Sequence, residues 1–209
     1  MNRILIQLVV GAALLLAIGQ QASADNNGWY LATDLAYTRF NTVSSYAQPP
    51  KQVAVSSESG GGYRIGGGYR FSNNFALEAD YLDAGHTDVG PDAVLPKFGN
   101  QSDIMRSHGF TIDAIGSFAA SNAVSVYARA GVISATTERK VYRIGSSIPT
   151  EPDMYTHGRH LGAGFGVAYQ IDGNWAVRVQ WQRYYGLGSS DIAVRGNLDM
   201  ASLGVTYLY

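Results

Sequence analysis

Histidines beside hydroxyl residues are the first places to look for chemistry in this sequence. The chain has four histidines: His86, His108, His157 and His160. Ser107 precedes His108 and Thr156 precedes His157, but adjacent residues of a strand point to opposite faces. A nucleophile must lie within hydrogen-bond reach of its base, so these neighbours predict no hydrolytic site.

A metal site is the second kind of chemistry to consider. His157 and His160 lie near Glu151 and Asp153, yet a spacing of three residues also places two strand side chains on opposite faces. The chain has no cysteine, which excludes thiolate ligands and disulfide bonds. We therefore expect no metal, no other cofactor and no enzymatic activity.

Buried charges are the third possibility. Eight charged residues, four of each sign, share the small-residue side of alternating segments: Asp34, Arg64, Arg70, Glu78, Asp80, Asp113, Arg129 and Arg178. Because the signs balance, we expect these side chains to pair with one another in a common interior.

The elements that position these charges are strands. Eight segments alternate between large apolar and small or polar residues: 29–38, 62–71, 75–81, 109–118, 124–132, 160–171, 175–182 and 201–209. Segments of about ten residues with this period are typical of membrane-spanning β-barrels. The sequence predicts an all-β fold, a closed eight-stranded antiparallel up-and-down transmembrane β-barrel.

The connections between these segments alternate in length. Short polar turns at 72–74, 119–123 and 172–174 separate long loops at about 41–59, 86–104, 137–157 and 186–197. Outer-membrane barrels have short turns on the periplasmic rim and longer loops outside. We therefore expect four long extracellular loops.

Residues 1–24 resemble a cleaved signal peptide. Arg3 precedes an apolar run over 4–18, and an A-x-A cleavage site follows over 22–24. The barrel would then occupy residues 25–209 and reach the cell outer membrane by export. The net charge of -1 argues against a nucleic-acid partner.

Aromatic residues mark the expected membrane interfaces. Those that face outward near the short turns form a predicted girdle: Trp29, Tyr69, Phe71, Phe75, Phe118, Tyr169, Trp175, Tyr207 and Tyr209. A sparser outer belt would contain Tyr37, Tyr63, Tyr81, Phe110, Trp181 and Tyr185. A soluble lipocalin-like barrel would turn its large apolar residues inward instead, so the girdles and the turn pattern favour the membrane.

Five short motifs resemble the transmembrane domain of the OmpA family of outer-membrane barrels. They are Gly28-Trp29-Tyr30, Gly62-Tyr63-Arg64-Ile65 followed by Glu78, Val126-Tyr127-Ala128-Arg129-Ala130-Gly131, Arg178-Val179-Gln180-Trp181-Gln182, and Ser202-Leu203-Gly204-Val205-Thr206-Tyr207. The resemblance implies that Glu78 and Arg178 face each other in the lumen. It also implies that Gly204, Tyr207 and Tyr209 form the signal read by the barrel-insertion machinery. Full-length members carry a peptidoglycan-binding domain, and because none follows Tyr209 we expect a barrel-only relative.

The functional expectation is a structural or surface-interaction role, in membrane integrity or in adhesion through the extracellular loops. Outer-membrane lipid and lipopolysaccharide are the expected partners, a host or neighbouring-cell ligand stays open, and we expect a monomer. Arg139, Lys140 and Arg143 in the third long loop are candidate contacts for lipopolysaccharide phosphates.

Two alternatives remain open from the sequence. One is a narrow, low-conductance pore for small solutes or ions, which a switch of partners among Glu78, Arg129 and Arg178 in the lumen could open. A lipid A-modifying enzyme is less favoured, because no catalytic group is assembled by the spacing of the residues.

Overall fold

The computed structural model describes residues 27–45, 53–89, 101–143, 154–189 and 194–209. The signal peptide predicted at 1–24 lies outside these residues. The described chain forms eight strands: β1 Gly28–Ser45, β2 Val53–Ser72, β3 Phe75–Val89, β4 Gln101–Ala119, β5 Val124–Arg143, β6 Met154–Gln170, β7 Trp175–Ser189 and β8 Val194–Leu208. Each strand pairs antiparallel with its sequence neighbours and β1 pairs with β8, which closes the barrel. The predicted fold class is confirmed.

The strands are longer than the sequence pattern predicts. They contain 15 to 20 residues, whereas a tilted membrane-spanning strand needs about 9–11. The predicted loop bounds are therefore wrong, since strand residues occupy both ends of each predicted loop and leave only 46–52, 90–100, 144–153 and 190–193 between strands. None of the described residues forms a helix long and apolar enough to cross a membrane.

The sequence pattern ends too early because the polarity inverts along several strands, as β8 shows. On β8, Leu203 points outward and is 49% exposed. Further from the short turns Leu198 and Met200 point inward and are fully buried, while Asp199 and Arg195 point outward. The alternation of side chains continues, but the apolar set changes sides. The pattern of outward apolar residues therefore ends before the strand does.

Two β-bulges lie at matching places on β3 and β7. The ladder shifts between Asp83 and His86 on β3 and between Tyr184 and Leu187 on β7. Gly85 and Gly186 in these bulges have φ of 75° and 68°, a left-handed conformation that favours glycine. A bulge bends its strand and disrupts the local ladder.

The bulges divide the far end of the barrel into two sheets. The β2–β3 ladder ends at the pair Tyr63 and Asp83, and the β6–β7 ladder ends at Gly162 and Tyr184. The remaining ladders continue, so the described strands group there as β7-β8-β1-β2 and β3-β4-β5-β6.

Candidate functional site

The centre of the lumen holds a layer of buried charges, which we call the ion layer. It contains seven of the predicted lumen charges, each at most 4% exposed: Asp34, Arg64, Glu78, Asp80, Asp113, Arg129 and Arg178. They come from β1, β2, β3, β4, β5 and β7, and closure of the barrel brings their inward positions to one level.

Arg178 joins two carboxylates of the ion layer. Its Nε and Nη2 donate to Asp34 Oδ1 and Oδ2, both at 2.8 Å, and its Nη1 donates to Glu78 Oε2 at 2.7 Å. Such charge-assisted, two-point contacts fix both distance and orientation. The contact between Glu78 and Arg178 that the OmpA resemblance implies is present.

Arg129 joins three carboxylates. Its Nη1 donates to Glu78 Oε1 at 3.1 Å, and its Nη2 donates to Asp80 Oδ2 at 3.2 Å and to Asp113 Oδ2. Glu78 therefore contacts Arg129 and Arg178 at the same time. Both pairs exist in one arrangement, without an exchange of partners.

Neutral side chains complete the ion layer, and sequence reasoning missed their role. Arg64 donates from Nε to Asp34 Oδ2 at 2.9 Å and from Nη1 to Gln182 Oε1 at 2.7 Å. The Tyr30 hydroxyl donates to Glu78 Oε2 at 3.0 Å. The inward positions of Gln182 and Tyr30 were readable from the alternation, but their partners lie on strands that only closure brings together.

Glycines make room for the large side chains of the lumen. A Cβ on Gly162 of β6 would lie 2.6 Å from the Tyr184 ring, and a Cβ on Gly204 would collide with the Asp34 carboxylate. Glycine is thus required at Gly204 by the packing of the ion layer. The predicted role of Gly204 in barrel insertion stays a prediction.

Two apolar clusters cover the ion layer on both sides. The lower apolar cluster, toward the short turns, contains Tyr30, Ala32, Ala76, Ile115, Tyr127 and Leu208. The upper apolar cluster, between the two sheets of the far end, contains Ala36, Phe40, Leu82, Ala84, Met105, Ile133, Ala135, Tyr184, Leu187, Leu198 and Met200. The upper cluster was not predicted. Its signal is the alternation of buried Leu198 and Met200 with outward Asp199 beyond the membrane pattern.

Arg70 does not join the ion layer, and this part of the prediction is wrong. It lies opposite Gly28 and Ala76 near the short-turn end of β2. No ion pair among the described residues includes it, because that level of the lumen is occupied by the lower apolar cluster. The layer therefore has four acidic and three basic side chains.

The outer wall at the level of the ion layer is apolar. Leu35, Ile112 and Phe165 are 76%, 65% and 62% exposed. Exposure of such side chains to water is unfavourable by about 25 cal/mol per Å², whereas hydrocarbon favours them. A soluble barrel has the opposite polarity, so this surface belongs in a bilayer.

A family comparison decides what kind of membrane barrel this is. The model of the outer membrane protein beta-barrel domain matches residues 9–208, a range that includes all eight strands. The chain belongs to this outer-membrane β-barrel family. The predicted outer-membrane location is confirmed, while the closer resemblance to OmpA stays a prediction. No curated protein sequence matches the chain.

Solved structures show the same fold for this outer-membrane barrel. Neisserial surface protein A (NspA) has a TM-score of 0.60 at 21% identity, over 91% of this chain and 100% of that one. OprG from Pseudomonas aeruginosa has 0.52 at 12%, over 90% and 99%. Ail, the attachment invasion locus protein of Yersinia pestis, in complex with the heparin analogue sucrose octasulfate, has 0.50 at 14%, over 87% and 99%.

The predicted aromatic girdle lies on the outer wall of the outer-membrane barrel near the short turns. Trp29, Phe118 and Tyr209 are 68%, 68% and 70% exposed. The rings of Tyr207 and Tyr209 contact each other with centroids 5.1 Å apart. No member of the girdle is buried, and its position at the lipid headgroups stays a prediction.

The predicted lipopolysaccharide contacts are placed differently from one another. Lys140 pairs with Glu138 at 2.8 Å. Arg139 lies opposite Met105 on the lumen side of β5, so strand alternation turns it away from the outer wall. The side chain of Arg143 lies outside the described part.

The hydroxyl and histidine neighbours do not form catalytic pairs. Ser107 Oγ lies 2.9 Å from Thr137 Oγ1, and His157 Nδ1 lies 2.8 Å from Thr136 Oγ1. In the part of the chain that the structure describes, no group of three or more His, Asp or Glu residues could hold a metal ion.

Proposed function

We propose that this outer-membrane protein is a plugged structural barrel that presents an interaction surface beyond the bilayer. The observation that carries the proposal is the stacking of three layers of buried side chains in one lumen. A water-filled path would have to pass the lower apolar cluster, the ion layer and the upper apolar cluster in turn.

Each layer opposes conduction for a separate physical reason. Eight strands enclose an interior only wide enough for side chains to fill. In the middle layer, the side chains of Arg64 and Arg129 are fully buried and form ion pairs with Asp34 and Glu78. Their charges are therefore not available to a passing ion. Buried apolar side chains such as Leu187 and Leu198, both 0% exposed, disfavour the entry of water and ions into the upper apolar cluster.

The surface role is supported by the strand lengths. A strand of 20 residues crosses a bilayer with about half of its length, so a rigid platform extends beyond the lipid. Binding groups on such platforms usually occupy the connecting segments. A neighbour of the same fold, Ail, carries a sulfated sugar in its complex, and we propose by analogy a role in surface contact here.

The proposal excludes enzymatic activity as the main role. Ser107 Oγ, next to His108 in the chain, lies beside Thr137 Oγ1, and Thr136 Oγ1 lies beside His157 Nδ1. Among the described residues, no hydrogen bond joins His157 to a carboxylate. A nucleophile requires a base that is itself oriented by a third group. Lipid A modification is therefore not part of the proposed function.

Planar-bilayer recording tests the plugged lumen. Purified wild-type protein should show no discrete current steps above those of a protein-free bilayer. Arg178→Ala, which removes contacts to Asp34 and Glu78, should raise the frequency of current steps, whereas Arg70→Ala, outside the ion layer, should not. Regular conductance steps in the wild type would contradict the plugged barrel.

Whole-cell binding tests the surface role. Residues 144–153 can be replaced by a Gly/Ser segment of equal length, with the same treatment of 46–52 as a comparison. Binding to host cells or to a sulfated polysaccharide matrix should fall in at least one variant while barrel folding is unchanged. Equal binding by cells with and without the whole protein would refute the surface role.

A narrow pore is the second candidate, and one observation favours it. Arg64 Nη2, Gln180 Nε2, Tyr184 Oη and Ser202 Oγ are buried polar atoms without a hydrogen-bond partner. Atoms of this kind usually bind internal water. Liposome swelling with solutes of graded size would detect such a path even where ion currents are too small to record.

A further inference from the structure

The outer wall beyond the bilayer has two faces with different charge. We compare residues that point outward past the outer aromatic belt and whose side chains the structure describes. The face formed by β2 to β5 has two basic and two acidic residues: Arg106, Lys140, Asp83 and Glu138. The face formed by β6, β7, β8 and β1, which we call the basic face, has four basic residues and one acidic residue: Arg39, Arg159, Arg183, Arg195 and Asp199.

Both cations of the β2 to β5 face are paired within the protein. Arg106 Nη2 lies 2.6 Å from Asp83 Oδ2, and Lys140 Nζ lies 2.8 Å from Glu138 Oε1. These internal pairs balance the charge of the face. An external anion would have to compete with two carboxylates there.

Arg183 on the basic face is held in a fixed orientation. Its Nε and Nη2 donate to the two carboxylate oxygens of Asp199 at 2.6 and 2.7 Å. Its guanidinium lies over the Trp181 ring, 5.5 Å from the ring centroid. Nη1 takes no part in the Asp199 contact, so an ordered pair of N–H donors remains beside a tryptophan of the outer belt.

Two more arginines lie further from the bilayer on the same face. Ladder pairs place Arg195 beside Gly188, about four residues or ~13 Å beyond Asp199 along β8. Arg159 is four residues beyond Ala163, the partner of Arg183 on β6. Neither arginine has an ion pair among the described residues, and both are exposed.

The bulge on β7 leaves space between these two arginines. Gly186 and Gly188 carry no side chain on the strand that separates β6 from β8. The Arg195 guanidinium comes within 3.3 Å of the point where a Cβ of Gly186 would stand, so it reaches back over the bulge toward the bilayer. A side chain at Gly186 would press against this guanidinium, and the Gly186 N–H donates to Asn197 Oδ1 at 3.0 Å.

We propose that the basic face binds the phosphorylated glycolipid of the outer leaflet, lipopolysaccharide. Arg183 takes a lipid A phosphate at the interface, and Arg159 with Arg195 takes anionic groups of the sugar core further out. The inference rests on the proposed surface role, and it moves the lipopolysaccharide contact predicted from the sequence at Arg139, Lys140 and Arg143 to a different face. Arginine suits this ligand because its planar donors match phosphate oxygens in two-point contacts.

Native mass spectrometry of the detergent-solubilised protein tests the assignment, with a lipopolysaccharide that contains bisphosphorylated lipid A and a phosphorylated inner core as the probe. The variant Arg183→Gln/Arg195→Gln should bind this lipopolysaccharide roughly tenfold more weakly, because it loses two charge-assisted contacts to anionic groups at a partly exposed surface. The matched control Arg106→Gln/Lys140→Gln also removes two positive charges. It should change the affinity by less than about threefold.

Two further measurements keep the outcome decisive. Arg159→Gln alone disturbs no ion pair among the described residues and should weaken binding by about threefold if the double variant folds poorly. The same lipopolysaccharide stripped of its phosphates should bind wild type and double variant equally. Equal losses in the two double variants, or unchanged binding of the stripped lipid to the wild type, would overturn the assignment. Neither result bears on whether the lumen is plugged, which the bilayer recordings test.

Discussion

The ion layer and the upper apolar cluster are neighbouring parts of one lumen, yet they are built from opposite kinds of residue. The ion layer is surrounded by outward apolar side chains such as Ile112, and the upper cluster is surrounded by outward polar ones such as Asp199. The same strands supply both regions. One strand therefore carries its apolar side chains on the outer wall where hydrocarbon surrounds it and on the inner side where water does.

The largest effect is expected in the ion layer. In the wild type, Arg129 contacts three buried carboxylates, and Arg129→Ala removes this shared cation. Removal of one partner from a buried ion network costs about 3–5 kcal/mol. Urea unfolding in phospholipid vesicles should show this loss, with Arg70→Ala as a control that changes little. A loss under about 1 kcal/mol would mean that the carboxylates are hydrated rather than paired.

A smaller loss is expected in the upper apolar cluster. Leu198→Ala opens a cavity at a fully buried position and should cost about 2–5 kcal/mol. Leu203 on the same strand faces lipid and is 49% exposed. Leu203→Ala should cost less, because lipid fills the space that the side chain leaves and no cavity forms. Equal losses in the two variants would show that water or lipid also reaches Leu198.

A still smaller effect is expected for one member of the ion layer. The layer has one more acid than base, and Asp80 Oδ1 has no hydrogen-bond partner. Asp80→Asn should therefore change the free energy of unfolding by less than about 1 kcal/mol. Glu78→Gln, at a position contacted by Arg129, Arg178 and Tyr30, should lose clearly more. If Asp80→Asn lost more stability than Glu78→Gln, the surplus negative charge of the ion layer would lie on a residue other than Asp80.

The smallest effect is expected at a short turn outside both regions. Backbone N–H groups of Trp175 and Asn174 donate to Asp172 Oδ1 at 2.7 and 2.8 Å and hold the pKa of that carboxyl below its ordinary value. A lowered pKa stabilises the fold above the unfolded-state pKa, and this contribution disappears as the pH falls through the folded-state pKa. The stability difference between wild type and Asp172→Ala should shrink as unfolding is measured from neutral to acidic pH, and a constant difference would contradict this account.

Much of the fold was predictable because membrane strands repeat one local rule. The alternation of Leu203 and Val205 with Ser202 and Gly204 identifies a strand without knowledge of its partners. The identity of the ion-layer side chains followed from the same rule, with Arg70 as the exception. The alternation shows that Arg70 faces the lumen, but it does not show that Arg70 lies closer to the short turns than the ion layer does.

The partners within the lumen and the upper cluster were not predictable in the same way. Arg64 and Gln182 are 118 positions apart, and their contact depends on the stagger of every ladder between them. The upper cluster was missed because the search pattern assumed one solvent along the whole strand. Leu198 and Met200 follow the alternation of a soluble protein, so a rule that allows the polarity to invert once would find them.

The division of the far end into two sheets has a consequence for how the surface can vary. The connections β1–β2 and β7–β8 stay within one sheet, and β3–β4 and β5–β6 stay within the other. Each sheet therefore carries two hairpin tips of its own, and no long connection joins one sheet to the other. An insertion in one pair of connections can change their length without shifting the strand register of the other sheet. The two pairs of connections at the exposed end can therefore vary independently.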